Sequence, residues 1–340
     1  MDIEKAAEFI RMGKLVAFPT ETVYGLGGDG FNPEAVAKIY AAKGRPGDNP
    51  LILHIANEGR FNELAHNPPE YAYALIKAFW PGPLTLVVQK KPHLPRWLGG
   101  HPDGEADTVG IRMPIHSIAR ALIEVSNCFI AAPSANKAGK PSPTTAAHVR
   151  EDFPDPEKEN MMILEGDSVD VGLESTVVDI TGGLPRILRP GAITPQMIYS
   201  VTKLNTEGVD TNTVNAPRAP GMKYRHYAPR APLTLLSGSP ENIWTYVMKR
   251  HSENLSYIGV LGTEELSCYF KPDDARVNVI QFGKTIKDYP TIANTLFSSL
   301  RKFDTLGVDM IFAQAVPDVE LGTAIMDRMT KAAEGRVVNV

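Results

Sequence analysis

Between residues 161 and 189 three strand-like runs, MMILEG, ESTVVDI and RILRPG, follow one another with no helical pattern between them. Consecutive strands of a purely parallel sheet need a crossover of a dozen or more residues, usually a helix. The stretch therefore predicts a mixed sheet. Upstream, helices and strands do alternate. Asp2 can cap a helix whose Ile3, Ala6, Ala7 and Ile10 share a face, with Gly13 as its stop, and LVAFP follows as a short buried strand. Asn32 and Pro33 open a second helix with Val36, Ile39 and Tyr40 inward, which ends at the loop KGRPGDNP before the strand LILHIA. LTLVVQK, TVGIRM and CFIAAP add strands, and helical patterns fall at 69–79, 116–125, 144–150 and 194–200.

At 340 residues the chain is long for one domain. Its pattern breaks at about residue 203 into Thr, Asn, Ala and Pro, and beyond 232 strand and helix alternate regularly: LTLLS, a helix at 240–251, YIGVLG, VNVIQF, a helix at 286–303, VDMIFAQAV and a helix at 321–334. The reading is an α/β protein with a mixed-sheet domain over 1–205, a linker strap over 206–232 and a smaller Rossmann-like α/β domain over 233–340. The strap is unusual for a tether. No acidic side chain occurs from 211 to 240, while Arg218, Lys223, Arg225 and Arg230 interleave with Tyr224, His226 and Tyr227. Either it is a basic flexible tether or it is an ordered strap against an anionic pocket.

Composition excludes several classes. With 43% hydrophobic and 22% charged residues the chain can bury a core, so disorder is not expected. No run approaches the roughly 20 apolar residues of a membrane span, and MDIEKAAEFIRMGK does not read as a secretion signal, so a cytoplasmic protein without membrane contact is expected. Cys128 and Cys268, the only cysteines, form no CxxC pattern and read as two small buried hydrophobes. No metal site is expected in the protein itself. The formal charge is −4, with 20 basic and 24 acidic residues before 206 and 15 of each after it, which argues against a generic polyanion binder.

GLGGDG at 25–30 fits GxGxxG, but ETVY separates it from the preceding strand, so it reads as a glycine-rich turn and not a dinucleotide site. No P-loop motif occurs. The loop KGRPGDNP is more informative. Lys43 closes a helix, where a cation suits the dipole. Arg45, between Gly44 and Pro46, is presented by a stiff turn, and its planar fork suits phosphate or carboxylate oxygens. Asn49 follows, and His54 alternates with Leu53 and Ile55 as a structural strand residue would. In APSANKAGKPSP, Ser134, Asn136 and Ser142 are small polar groups at a strand end, equally suited to an anion and to turn formation. Arg112 and Arg189 end buried strands and need a partner, a carboxylate of the protein or of a ligand.

Taken together, FPTETVYGLG, KGRPGDNPLILH, WPGPLT, TVGIRMP, APSAN, GLESTVVD, LRPG and APGMKYRHYAP occur in the order found in two-domain threonylcarbamoyl-AMP synthases, which the chain resembles over residues 1 to about 230. The resemblance implies a twisted mixed-sheet catalytic domain of that type. It implies an ATP-dependent nucleotidyltransferase that converts L-threonine, bicarbonate and ATP into L-threonylcarbamoyladenylate and pyrophosphate, with Mg²⁺ on the triphosphate. The product serves N6-threonylcarbamoyladenosine formation in tRNA through a separate transferase complex, and a weak RNA contact is left open. Carried over, Lys43 and Arg45 become the catalytic cations. Arg45, Asn49, Ser134, Asn136, Ser142 and Arg189 face the nucleotide, with Thr108 and Tyr224 added. Thr22, His54, Arg112, Ser175 and backbone at Ala132 hold threonine. RNA binding and carbamoyl transfer are the rival readings, and the charge balance and the lack of cysteine zinc motifs respectively speak against them.

Overall fold

A computed structural model describes residues 2–208, 226–254, 256–270 and 276–340. They form two compact units, one of Met1–Ala138 with Ser142–Tyr224 and one of Gly139–Pro141 with Arg225–Val340. Residues 209–225 of the strap, Tyr224 among them, lie outside the described residues.

The first unit has strands β1 (Leu15–Phe18), β2 (Gly25–Asp29), β3 (Ile52–His54), β4 (Leu84–Gln89), β5 (Thr108–Arg112), β6 (Ile130–Ala131), β7 (Met161–Ile163), β8 (Thr176–Asp179) and β9 (Arg186–Arg189). Its helices are α1 (Ile3–Arg11), α2 (Pro33–Lys43), α3 (Phe61–Leu64), α4 (Glu70–Phe79), α5 (Ser117–Ser126), α6 (Ala146–Asp152) and α7 (Pro195–Thr202). The strands form one sheet in the order β7-β1-β2-β6-β3-β5-β4-β8-β9. Three of its pairs are parallel, β1–β7, β3–β5 and β4–β8, and the rest antiparallel. The mixed sheet expected from residues 161–189 is present, and β8 and β9 pair as direct neighbours. β7 does not join them. It lies at the far edge beside β1, so the chain from 164 to 175 traverses the sheet, pinned on the way by Leu164 N to Ala17 O and Val171 N to Glu21 O, each 2.8 Å, and Thr176 N to Pro83 O at 3.0 Å.

GLGGD is a strand and not the glycine-rich turn its composition suggested. The glycines there serve packing. A Cβ on Gly27 would meet Phe18 and Ile130 carbons at 2.7 Å, so only a bare backbone fits between β1 and β6. CFIAAP contributes only the two residues of β6 to the sheet. Of the two cysteines, Cys128 is half-buried against the core and Cys268 is exposed at the end of a short helix, so Cys268 is not the buried residue expected.

Alternation along the strands divides the core by face. Leu15 and Ala17 of β1, Leu53 of β3 and Ile111 of β5 join one cluster with Val36 and Ile39 of α2, Leu75 and Ile76 of α4 and Val149 of α6. Val16 and Phe18, with Ile130 and Ala132, join the other beneath Ala6, Ala7 and Ile10 of α1 and Ala119, Leu122 and Ile123 of α5. The helix ends follow their caps. Asp2 Oδ1 accepts Lys5 N at 3.0 Å, Asn32 Oδ1 accepts Glu34 N and Ala35 N at 3.0 and 3.3 Å, and Pro33 fills the first turn of α2. Gly44 ends α2 at φ +62°, a left-handed turn that would strain a side chain.

The second unit is a parallel sheet of β10 (Leu233–Ser237), β11 (Ile258–Thr263), β12 (Val277–Gly283), β13 (Met310–Gln314) and β14 (Val337–Asn339), with α8 (Pro240–Asn254), α9 (Glu264–Ser267), α10 (Tyr289–Leu306) and α11 (Leu321–Ala332) between them. Its order, β12-β11-β13-β10-β14, places β13 between β10 and β11, unlike the sheet of dinucleotide-binding folds. Among the described residues no helix is long and apolar enough to cross a membrane.

Candidate active site

In β5 the residues Thr108, Gly110 and Arg112 alternate with the buried Val109 and Ile111 and so share one face of the sheet. His54 of β3 and Thr85 of β4 are the register partners of Arg112 on either side, and Ile52 is the partner of Gly110. Gly110 lacks a side chain, with Ile52 and Thr85 carbons 3.4 Å from where a Cβ would stand, and a strand rise of about 3.3 Å sets Thr108 and Arg112 roughly 13 Å apart.

Arg112 is 4% exposed despite its charge. Its Nη1 donates to Thr22 Oγ1 at 2.9 Å, its Nε donates to Gly82 O at 3.3 Å, and its Nη2 lies 2.7 Å from Glu21 Oε1. The partner that a buried arginine demands is thus supplied by the protein itself, and Glu21 is a residue the sequence reading passed over. Its backbone also receives Val171 N from the crossing segment, which ties the Thr20–Thr22 turn to the middle of the unit. Thr20 Oγ1 and Thr22 Oγ1 are 2.8 Å apart within that turn.

His54 is 4% exposed, with Nδ1 3.3 Å from Ile130 O and its ring edge-on to Phe18. Burial first and the Arg112 charge second push its pKa down to about 3, so it is a neutral imidazole at physiological pH. Ala132 gives its N–H to Ile52 O at 3.0 Å. Ser175 Oγ is 2.8 Å from Thr85 Oγ1 and accepts Arg189 Nη2 at 3.2 Å, and Ser175 O accepts Arg189 Nε at 3.1 Å. Arg112, Thr85, Ser175 and Arg189 therefore lie along one run of contacts across β5, β4, β8 and β9.

The second group surrounds the end of α2. Arg45, swung out by the left-handed Gly44, folds over its own loop: Nη2 donates to Asn49 Oδ1 and Pro50 O, each at 2.8 Å, and Nε to Asn49 O at 3.1 Å. Tyr40 OH donates to the same Asn49 carbonyl at 2.9 Å, so a residue read as part of the apolar face also braces the loop. Lys43 is buried, and its Nζ donates to the carbonyls of Ser134 and Asn136. Burial, followed by the nearby Arg45 charge, pulls its pKa well below the usual lysine range. Ser134 Oγ donates to Asn136 Oδ1 at 2.5 Å, and Ser142 Oγ to Glu174 Oε1 at 2.5 Å. Lys43 thus joins the loop of residues 43–50 to that of 134–142, while Glu174 joins the latter to Ser175. Thr108 opens β5 beside Gly99 of the preceding loop, whose carbonyl accepts Leu51 N at 2.8 Å next to Asn49 and Pro50. Of the site residues read from the sequence, Tyr224 alone lies outside the described residues. Among the described residues no three His, Cys, Asp or Glu side chains gather to hold a metal ion.

Guanidinium groups, a neutral imidazole and hydroxyls on a sheet face, beside a loop that carries Lys43 and Arg45, are the kind of groups with which an α/β enzyme can hold small anions. A family model described as "Telomere recombination" matches residues 8–191, and one described as "Threonylcarbamoyl-AMP synthase, C-terminal domain" matches residues 193–334. The threonylcarbamoyl-AMP synthase of Bacillus subtilis is 44% identical over 339 residues, covering 99% of this chain and 94% of that one, and the enzyme of Pyrococcus abyssi is 44% identical over 344 residues, covering 99% and 96%. The crystal structure of P. abyssi Sua5 complexed with L-threonine superposes with a TM-score of 0.88 at 44% identity over 99% of this chain and 96% of that chain. The chain belongs to the threonylcarbamoyl-AMP synthase family. Its activity is the synthesis of L-threonylcarbamoyladenylate and pyrophosphate from L-threonine, bicarbonate and ATP for N6-threonylcarbamoyladenosine formation in tRNA.

Proposed function

We propose that L-threonine and ATP lie side by side on this sheet face, with the reacting carbamate between them. The observation that carries the reading is the buried Arg112 guanidinium, held beside Thr22 and in register with His54 and Thr85. Arg112 takes the threonine carboxylate, for which a planar fork is suited. Thr22, His54, Ser175 and backbone at Ala132 frame the rest of the amino acid, and the crystallised P. abyssi relative, bound to L-threonine, supports a threonine site. A neutral His54 adds no charge of its own, so the fixed charges here are the Arg112 guanidinium and the Glu21 carboxylate beside it.

Arg45, Asn49, Thr108, Ser134, Asn136, Ser142 and Arg189 take the nucleotide, with Tyr224 as a further candidate. The carbamate formed from the threonine amine and bicarbonate attacks the α-phosphorus through an oxygen. A P–O bond to that oxygen forms, the bond from the α-phosphorus to the α,β-bridging oxygen breaks, and pyrophosphate leaves with that oxygen and the electron pair. Positioning and positive charge are what such a step needs. On this reading Arg45 exchanges its loop acceptors for phosphate oxygens, and Lys43 fixes the Ser134–Asn136 turn that receives the nucleotide. Mg²⁺ would enter with ATP as part of the substrate and would offset charge on the triphosphate. The work belongs in the cytoplasm, upstream of a transferase complex that modifies tRNA. Arg112→Ala is expected to lower threonine-dependent pyrophosphate release at least about 100-fold while the protein stays folded. Turnover at the wild-type rate in that variant would refute the assignment.

A further inference from the structure

The loop that carries Asn136 and Ser142 is fixed at both ends within the first unit. Lys137 N donates to Asp152 Oδ2 at 3.1 Å and Ala138 N to Lys43 O at 2.8 Å, and beyond Ser142 the carbonyl of Pro143 accepts Tyr24 N at 2.9 Å. The three residues between, Gly139–Pro141, group with the second unit. There Gly139 O accepts Ala228 N at 2.9 Å, and Pro141 O accepts Arg301 Nη2 at 2.7 Å. Gly139 turns at φ +89°, a left-handed angle that glycine adopts without strain. Arg301 of α10 is 6% exposed, and Phe297, one turn earlier on the same face, stacks on Tyr227 with ring centroids 5.2 Å apart. A buried guanidinium that donates to a backbone carbonyl makes a charge-assisted bond, stronger than one between neutral groups.

We propose that Arg301 is a positioning residue for ATP, acting through this loop and without touching the nucleotide. The peptide from Pro141 to Ser142 is trans and planar, so the bond to Pro141 O also fixes the plane that holds Ser142 N and Ser142 Cα. The locked φ of Pro141 leaves the chain before that plane little freedom. Ser142, whose hydroxyl donates to Glu174 Oε1 at 2.5 Å, is thereby set from its backbone as well as from its side chain. Thr22, His54 and Arg112, the groups proposed for threonine, lie on other segments of the chain. The inference rests on the nucleotide side proposed above and gives the second unit a task in it: loss of the Arg301 bond weakens ATP binding and spares threonine.

The test is calorimetric binding of ATP and of L-threonine to wild type, Arg301→Met and Arg301→Lys, with Ser142→Ala alongside. Arg301→Met, which removes the donor and keeps an unbranched side chain, is expected to weaken ATP binding at least about fivefold and to hold L-threonine within about twofold. Arg301→Lys keeps a charged donor and is expected to recover most of the loss. Wild-type ATP affinity in Arg301→Met would overturn the proposal, as would an equal loss for both ligands or a lysine variant no better than the methionine one; each would leave Arg301 a part of the second unit's fold alone. Ser142→Ala is expected to bind ATP more weakly. Unchanged ATP binding there would sink the nucleotide reading of this loop and the inference with it, whereas a loss in Ser142→Ala beside wild-type binding in Arg301→Met would sink the inference alone. Should Arg301→Met not fold, Arg301→Gln keeps an N–H without the charge and is expected to weaken ATP binding about two- to threefold, and wild-type affinity in that variant would overturn the proposal.

Discussion

His54 couples the site to acid stability. Its pKa is about 3 in the folded chain and about 6.5 when unfolded, so between those values the unfolded chain binds a proton that the folded chain excludes. Stability then rises with pH, and the histidine contributes a slope of up to about 1.4 kcal/mol per pH unit that is spent once pH falls through 3. Denaturant titrations of wild type and His54→Gln between pH 4 and pH 7 should differ by this slope, with the variant the flatter. Parallel curves would mean that the buried ring carries no such linkage. At this scale Arg112 was legible because a charge that ends a buried strand must have a partner. Glu21 was not, because a glutamate in the turn after β1 gives no sign of the strand it reaches, and its link to Arg112 spans 91 positions of sequence. The neutrality of His54 was equally hidden, since it comes from burial and from that same arginine.

At the scale of elements, β2 shows how composition misleads. Runs such as GLGGD suggest turns because glycine is permissive, yet here the backbone is extended and the missing side chains let β1 and β6 close on it. Gly27→Ala would force a Cβ to 2.7 Å from Phe18 and Ile130, and a loss of about 1–3 kcal/mol in unfolding free energy is expected. A variant as stable as wild type would show that the neighbours yield freely. Helices were the easier reading because their ends carry chemistry: Asp2, Asn32 with Pro33, and Gly44 mark α1 and α2 as their caps predict. β7 and β8 were recognised as strands, but their distant positions follow from a connection that no local pattern describes.

Across the whole molecule, the alternation of strand and helix announced an α/β protein, and the helix-free run near 161–189 announced a mixed sheet. The strand order was out of reach, because it is set by which apolar faces meet after long crossings and not by any one segment. The β13 insertion between β10 and β11 is of the same kind. What matters for function is the result: Glu21, Thr22, His54, Arg112, Ser175 and Arg189, far apart in sequence, become neighbours in the first unit, where on the proposed function threonine and ATP bind beside each other. The most direct test supplies the protein with ATP, ¹³C-labelled bicarbonate and one amino acid at a time, and follows the adenylate by mass and the pyrophosphate released. With L-threonine, a threonylcarbamoyladenylate that carries a single ¹³C should form in step with pyrophosphate. Pyrophosphate formed equally well without threonine, or an adenylate free of the label, would contradict the account.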